Sequence, residues 1–123
     1  MISDVLRDPL SLFDVSGKSA LITGASGAFG RAVAISLAAM GAKLTLAAGS
    51  ADELEAVAEE CREVGADSGA EIQTINCRPD SLEDAQAMVD LAVDKFGDLE
   101  LMFIGSGTNK AGFIHEQSLE DWQ

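Results

Sequence analysis

The chain has 123 residues, room for one ordinary domain and not two. With 47% hydrophobic residues it has the means to build a packed core, which excludes global disorder. Its net charge of −13 repels nucleic-acid backbone and anionic membranes, so neither is expected as a partner.

Residues 1–17 read as a leader that ends at the Ser16-Gly17 turn. They carry acids and no basic region followed by an apolar block, so no secretory signal is expected. Ser19–Thr23 (SALIT) is a short apolar run with a β-branched end, the pattern of a buried strand. Phe29–Met40 is apolar on nearly every face and stops at Gly41, which predicts a well-buried helix. Lys43–Ala48 (KLTLAA) is a second strand. Asp52–Val64 is an amphipathic helix with Leu54, Val57, Ala58, Cys61 and Val64 on its apolar face, and Ser50 and Glu53 have capping-box spacing.

Glu71–Asn76 alternates as a third strand, and Arg78-Pro79-Asp80 reads as a turn. Ser81 and Asp84 are placed to cap a helix over Leu82–Phe96, with Ala85, Met88, Val89, Ala92, Val93 and Phe96 on one face. Leu99–Ile104 is a fourth strand, followed by Gly105-Ser106-Gly107 and a polar segment. Ser118 and Asp121 again have capping-box spacing and predict the opening of another helix. So few residues follow that the chain is expected to be a fragment.

Strands alternating with helices imply an α/β fold in which a parallel sheet is covered on both faces. Right-handed crossovers favour the doubly wound, Rossmann-type strand order 3-2-1-4, here partial, with four strands and three main helices. That order opens a crevice at the carboxyl ends of strands 1 and 4.

The loop Gly24–Gly30 lies at that crevice, between a strand and a helix N-terminus. Glycines there let the backbone turn sharply, let a pyrophosphate approach the amides, and let the helix pack close to the strand. Unpaired amides and the helix dipole favour an anion even in an acidic chain. A plain strand-to-helix turn would need glycines too, but the alternating context favours a nucleotide. A Walker loop is excluded, because Phe29-Gly30 stand where a glycine-lysine pair is required. The tight G-x-G-x-x-G spacing is absent as well, since Ser26 follows Gly24 by two.

Thr23-Gly24-Ala25-Ser26-Gly27-Ala28-Phe29-Gly30 resembles the cofactor loop of the short-chain dehydrogenase/reductases. The lead-in LFDVSGKSALITGAS, the helix DELEAVAEEC, and AMVDLAVDKFGDLELMF with GTNKAGFIHEQSLEDW after it are similar to sugar-alcohol dehydrogenases and 3-oxoacyl reductases of that family. The resemblance runs over about residues 11–123. It implies a nicotinamide dinucleotide, held by Gly24, Ser26, Gly27, Phe29 and Gly30 around the pyrophosphate. It places Gly49 and Ser50 after strand 2, Asn76 and Cys77 after strand 3, and Gly105 and Ser106 after strand 4.

The departures from the family pattern are specific. Most single-domain members have TGxxxGxG, whereas this chain has Gly27 followed by Ala28, the TGxxGxxG spacing of a longer branch. After strand 2 the family shows an acid for NAD or an arginine for NADP, and Ala48 and Gly49 occupy those places. The missing acid leans towards NADP, although no cation in that stretch supplies a positive case. After strand 4, Asn-Asn-Ala-Gly becomes Ile104-Gly105-Ser106-Gly107.

The family's chemistry uses a serine and a Tyr-x-x-x-Lys arrangement after a fifth strand, with the tyrosine as general acid/base. This chain contains no tyrosine, so no catalytic residue is assigned, and truncation before strand 5 is expected. His115 reads as an ordinary loop histidine, Cys61 as a core residue, and no metal site is expected. Two cysteines are too few for a disulfide framework, which points to the cytoplasm. An apolar fourth strand left as an edge predicts a homo-oligomer. Two readings stand. One is the dinucleotide-binding domain, residues 18–123, of an oxidoreductase acting on an alcohol or ketone. The other is a dinucleotide binder or sensor without turnover.

Overall fold

The computed structural model describes residues 3–107 and 112–122. Its elements are α1 (Asp4–Arg7), a 3-10 turn over Pro9–Phe13, β1 (Ser19–Thr23), α2 (Ala28–Ala39), β2 (Lys43–Ala47), α3 (Ala51–Val64), β3 (Glu71–Ile75), α4 (Leu82–Phe96) and β4 (Leu101–Ile104), followed by 3-10 turns over Ile114–Glu116 and Leu119–Trp122.

The four strands form one parallel sheet in the order β3-β2-β1-β4. The register is unshifted at the carboxyl end, where Thr23 pairs with Ala47 and with Ile104, and Ala47 pairs with Ile75. All four strands therefore deliver their following loops to one rim of the sheet.

Side chains alternate across the strands and divide the core in two. Ala20, Ile22, Leu44 and Leu46 face α2 and α3, where they meet Ala34, Ala38, Leu54, Val57, Ala58 and Cys61. Leu21 and Ala47 face the other way, onto Met88 of α4, with Val89, Ile75 and Leu99 around them. β1 is buried at every residue because it is flanked by strands and covered on both faces. Between β2, β3 and α4 the polar Thr45 is satisfied by Gln73, whose Nε2 donates to Thr45 Oγ1 at 2.8 Å and to the Leu91 carbonyl at 3.0 Å.

Several local expectations change in the folded chain. α2 buries only Gly30, Ala34 and Ala38, a stripe of small residues four apart, and Phe29 is 81% exposed. Val33, Ile35 and Leu37 pack against the core while staying partly exposed, and Met40 after the helix is exposed. Val64 is exposed, although Cys61 before it and Gly65 after it are buried. Ser50 is the N-cap residue of α3, but its hydroxyl makes no capping bond, and the first turn is served by the acids Asp52 and Glu53. Ser81 does cap α4, accepting from the Asp84 amide at 3.0 Å and donating to its carboxylate at 2.7 Å. Gly97 closes that helix in the left-handed region, at φ 84°.

β4 starts at Leu101 rather than Leu99; the Glu100 amide before it donates to the Ser19 carbonyl at 3.0 Å, and the Leu99 amide is taken by the Asp98 side chain. After Ser118 a 3-10 turn forms, Leu119–Trp122, in place of the expected α-helix. The polar segment expected after Gly107 lies partly outside the described residues.

Candidate functional site

β1 ends at Thr23, and the chain turns through Gly24 at φ 63°. The Ala25 amide donates to the Ala47 carbonyl, and the Gly27 amide to the Gly24 carbonyl at 2.9 Å, which folds the loop back onto the sheet rim. Gly27 is the N-cap residue of α2 and has no side chain with which to cap it. The first helical bond outside the helix proper is Arg31 to the Gly27 carbonyl. The amides of Ala28, Phe29 and Gly30 consequently have no backbone acceptor among the described residues. They form a set of orphan donors at the positive end of a three-turn helix.

The glycines keep this cradle tight. A Cβ on Gly30 would overlap the Gly24 carbonyl oxygen and lie 2.9 Å from Ala25 Cα, so α2 enters the loop with no room for a side chain. A Cβ on Gly27 would meet only the Gly24 oxygen, at 3.2 Å. On the opposite wall, Thr23 Oγ1 and Ser106 Oγ share a hydrogen bond of 3.0 Å that ties the end of β1 to the loop after β4.

A cleft of about 480 Å³ opens between these loops. It is of the size that binds small molecules and cofactors. Gly24, Ser26, Gly27, Gly49, Cys77, Gly105 and Ser106 line it, all named from the sequence, and Ala48, Arg78, Pro79, Asp80 and Gly107 join them. Four predicted residues stand off the lining. Gly30 is buried beneath the loop, the Phe29 ring points outward, Ser50 sits at the start of α3, and the Asn76 amide donates to the Ala48 carbonyl at 2.8 Å, clamping β3 to β2. Phe29 contributes only its backbone amide to the donor set.

Arg78 is the residue that the sequence reading missed. It was legible only as part of a turn, because its proximity to Gly49 follows from the pairing of β2 with β3 across the sheet.

Both thiols are shifted away from the thiolate form. Burial pushes the Cys61 thiol up to about 11. Burial also raises Cys77, aided by its hydrogen bond to the Asp84 carboxylate and by the charges of Asp84 and Asp80. His115 is exposed, stacked on Phe113 at 5.7 Å and 3.7 Å from Glu116.

The family model for short chain dehydrogenases matches residues 18–123. An uncharacterized oxidoreductase of Mycobacterium tuberculosis is 44% identical over 113 residues, covering 92% of this chain and 40% of that protein. A 3-oxoacyl-[acyl-carrier-protein] reductase of Staphylococcus aureus is 33% identical over 106 residues, covering 85% of this chain and 42% of its own length. Among solved structures, a short-chain type dehydrogenase/reductase of Mycobacterium marinum superposes with a TM-score of 0.80 at 33% identity, over 92% of this chain and 44% of the other. An L-sorbose reductase of Gluconobacter frateurii, complexed with NADPH and L-sorbose, superposes with a TM-score of 0.77 at 30% identity, over 88% of this chain and 40% of the other. The chain thus spans well under half of the relatives it matches.

Proposed function

Since the chain belongs to the short-chain dehydrogenase family, we propose that residues 18–123 are the dinucleotide-binding part of an NAD(P)-dependent oxidoreductase that moves a hydride between a nicotinamide cofactor and an alcohol or ketone. Residues 1–17 precede that domain as a leader. The observation that carries the reading is the glycine cradle: Gly24, Ser26 and Gly27 line a cleft at the carboxyl rim of a parallel sheet, and the uncapped amides of Ala28, Phe29 and Gly30 follow them at the N-terminus of α2. The donors suit a pyrophosphate, and the glycines leave the backbone bare enough for it to approach.

In this reading the loop from Ser26 to Gly30 holds and orients the pyrophosphate, with the Gly27 amide kept for the Gly24 carbonyl and the other amides as donors. Ser106, held by Thr23, and the bare backbone of Gly105 and Gly107 line the cleft on the β4 side. Gly49 and the turn after β3 receive the adenosine half. The bound dinucleotide supplies the hydride chemistry, and the proton-moving groups lie outside these 123 residues, which contain no tyrosine. No helix among the described residues is long and apolar enough to cross a membrane, which suits work in the cytoplasm.

A second reading, a dinucleotide binder without turnover, is favoured by one observation. Ile104-Gly105-Ser106-Gly107 offers the cleft a hydroxyl and bare backbone where the family pattern supplies amide side chains. Calorimetric titration of the chain with NAD and NADP tests the shared core of both readings. Saturable one-site binding of at least one of them is expected, and binding of neither overturns both.

A further inference from the structure

The cleft contains a cation that no described residue pairs. Arg31 pairs with Glu60, Arg62 with Glu55, Lys18 with Glu100 and Lys43 with Glu71. The Arg78 guanidinium has no hydrogen bond or ion pair among the described residues, although the chain carries 21 acidic side chains. Asp80, on the same cleft wall, is joined to it only through the backbone, its amide donating to the Arg78 carbonyl at 2.9 Å.

Arg78 also lies against a defined place. A Cβ on Gly49 would overlap its Nε and stand 2.9 Å from Cζ and 3.0 Å from Cδ. The side chain therefore crosses directly over the Gly49 backbone, at the carboxyl end of β2. In this architecture the position about 20 residues beyond the glycine loop faces the ribose 2′ oxygen of the adenosine half. An acid there would accept from a 2′-hydroxyl and repel a 2′-phosphate. Here the position has no side chain at all, and a guanidinium reaching across from the turn after β3 occupies its space.

We propose that Arg78, laid over Gly49, is the residue that selects a 2′-phosphorylated dinucleotide by pairing with its 2′-phosphate. This rests on the dinucleotide reading of the cleft and deepens it. A guanidinium offers parallel donors that match a phosphate, and its lack of a carboxylate partner leaves them free for one. Gly49 and Arg78 then work as a pair. Any side chain at 49 pushes the flexible arginine off its place, and an acid at 49 would in addition repel the phosphate.

The test is a set of calorimetric titrations of the chain and of Arg78→Gln, Arg78→Lys and Gly49→Asp with NADP, NAD, 2′,5′-ADP and 5′-AMP. Arg78 is exposed, so its replacement leaves the core untouched, and thermal melting verifies this. Arg78→Gln is expected to weaken NADP and 2′,5′-ADP by about tenfold or more and to leave NAD and 5′-AMP within about twofold. Arg78→Lys keeps part of the preference, and Gly49→Asp reverses it. Equal losses for phosphorylated and unphosphorylated ligands would mean that Arg78 touches adenine or pyrophosphate, which overturns the proposal, as would no loss at all. If NAD and NADP bind equally to the unaltered chain, the assignment of selectivity fails while the dinucleotide reading stands. If neither binds, both fail together.

Discussion

A Cβ on Gly24 would stand 2.5 Å from the carbonyl oxygen of Gly105 and 2.7 Å from the Ser106 amide nitrogen. The loops after β1 and β4 touch backbone to backbone, and Gly24 makes the contact at a φ of 63°. Gly24→Ala therefore carries two penalties, about 1–2 kcal/mol for the left-handed backbone and about 1–3 kcal/mol for the overlap. Gly69 supplies the control, since it has φ 81° with nothing within 4 Å and carries the first penalty alone. Urea unfolding should show Gly24→Ala losing clearly more stability than Gly69→Ala. Equal losses would show that the two loops part easily.

Gly27 is a different case. Its φ is −75°, which any residue adopts, and a Cβ there meets one oxygen at 3.2 Å. Gly27→Val should fold with little change in melting temperature, yet put two methyl groups over the amides of α2. Dinucleotide affinity is expected to fall by about tenfold or more, a loss of about 1.4 kcal/mol or more. Unchanged affinity in calorimetry would mean that the pyrophosphate does not sit at this helix end.

How much of this was legible in the sequence follows from which interactions are local. The strand order was readable from the alternation of elements and the handedness of parallel crossovers, and the helix over Leu82–Phe96 and the Ser81 cap from periodicity and a three-residue spacing. The same spacing at Ser50 and Glu53 produced no side-chain cap, so spacing marks the helix start without fixing the hydroxyl's rotamer. The burial of α2 was overestimated, because Phe29 and Met40 are apolar by composition and outward by position. The contact of Arg78 with Gly49 joins residues 29 apart and depends on where two strands end, so no local pattern announces it.

The two thiols should separate in reactivity. Cys61 is buried with its titration pushed up to about 11, whereas Cys77 is half-exposed on the cleft wall. A disulfide reagent at pH 8 should label Cys77 in the native chain and Cys61 only after unfolding. Saturating dinucleotide should slow the labelling of Cys77. The Cys61 shift also has a sign in stability. The folded value lies above the unfolded value of about 8.5, so its contribution is complete below that pH and lost as pH rises towards 11. Relative to Cys61→Ala, the unaltered chain should lose stability across that alkaline window. Parallel pH profiles for the two proteins would contradict the shift.

The 123-residue chain should show no dehydrogenase turnover with any alcohol or ketone, whatever its affinity for NADP. It has no tyrosine to move the proton, and loss of a general acid alone costs about 10²–10⁴ in rate. Stopped assays following NADPH absorbance with purified chain check this. Turnover that co-purifies with the chain and vanishes in Gly27→Val would place the proton-moving group within these residues.

The last expectation concerns β4, which pairs with β1 on one side and has no strand on its other side among the described residues. Its register puts Met102 opposite Leu21 and Ile104 opposite Thr23, on the face that α4 covers. α4 packs over β1 and β2 and stops short of β4, so Met102 is 54% exposed and Ile104 69%. An open edge with apolar side chains beside it is a template for another strand and a surface for another helix. No charge lies within the strand itself, and Glu100 just before it is engaged by Lys18 and by the Ser19 amide. The net charge of −13 opposes association at long range, and salt screens that repulsion more than it weakens an edge ladder. Sedimentation should therefore show self-association that grows between low and moderate salt, and Met102→Lys with Ile104→Lys should abolish it. The β4 amides should exchange more slowly in the associated form than in that double variant. A clean monomer at all salt concentrations, with β4 amides as protected as those of β1, would show that the edge is closed by the chain's own remaining residues.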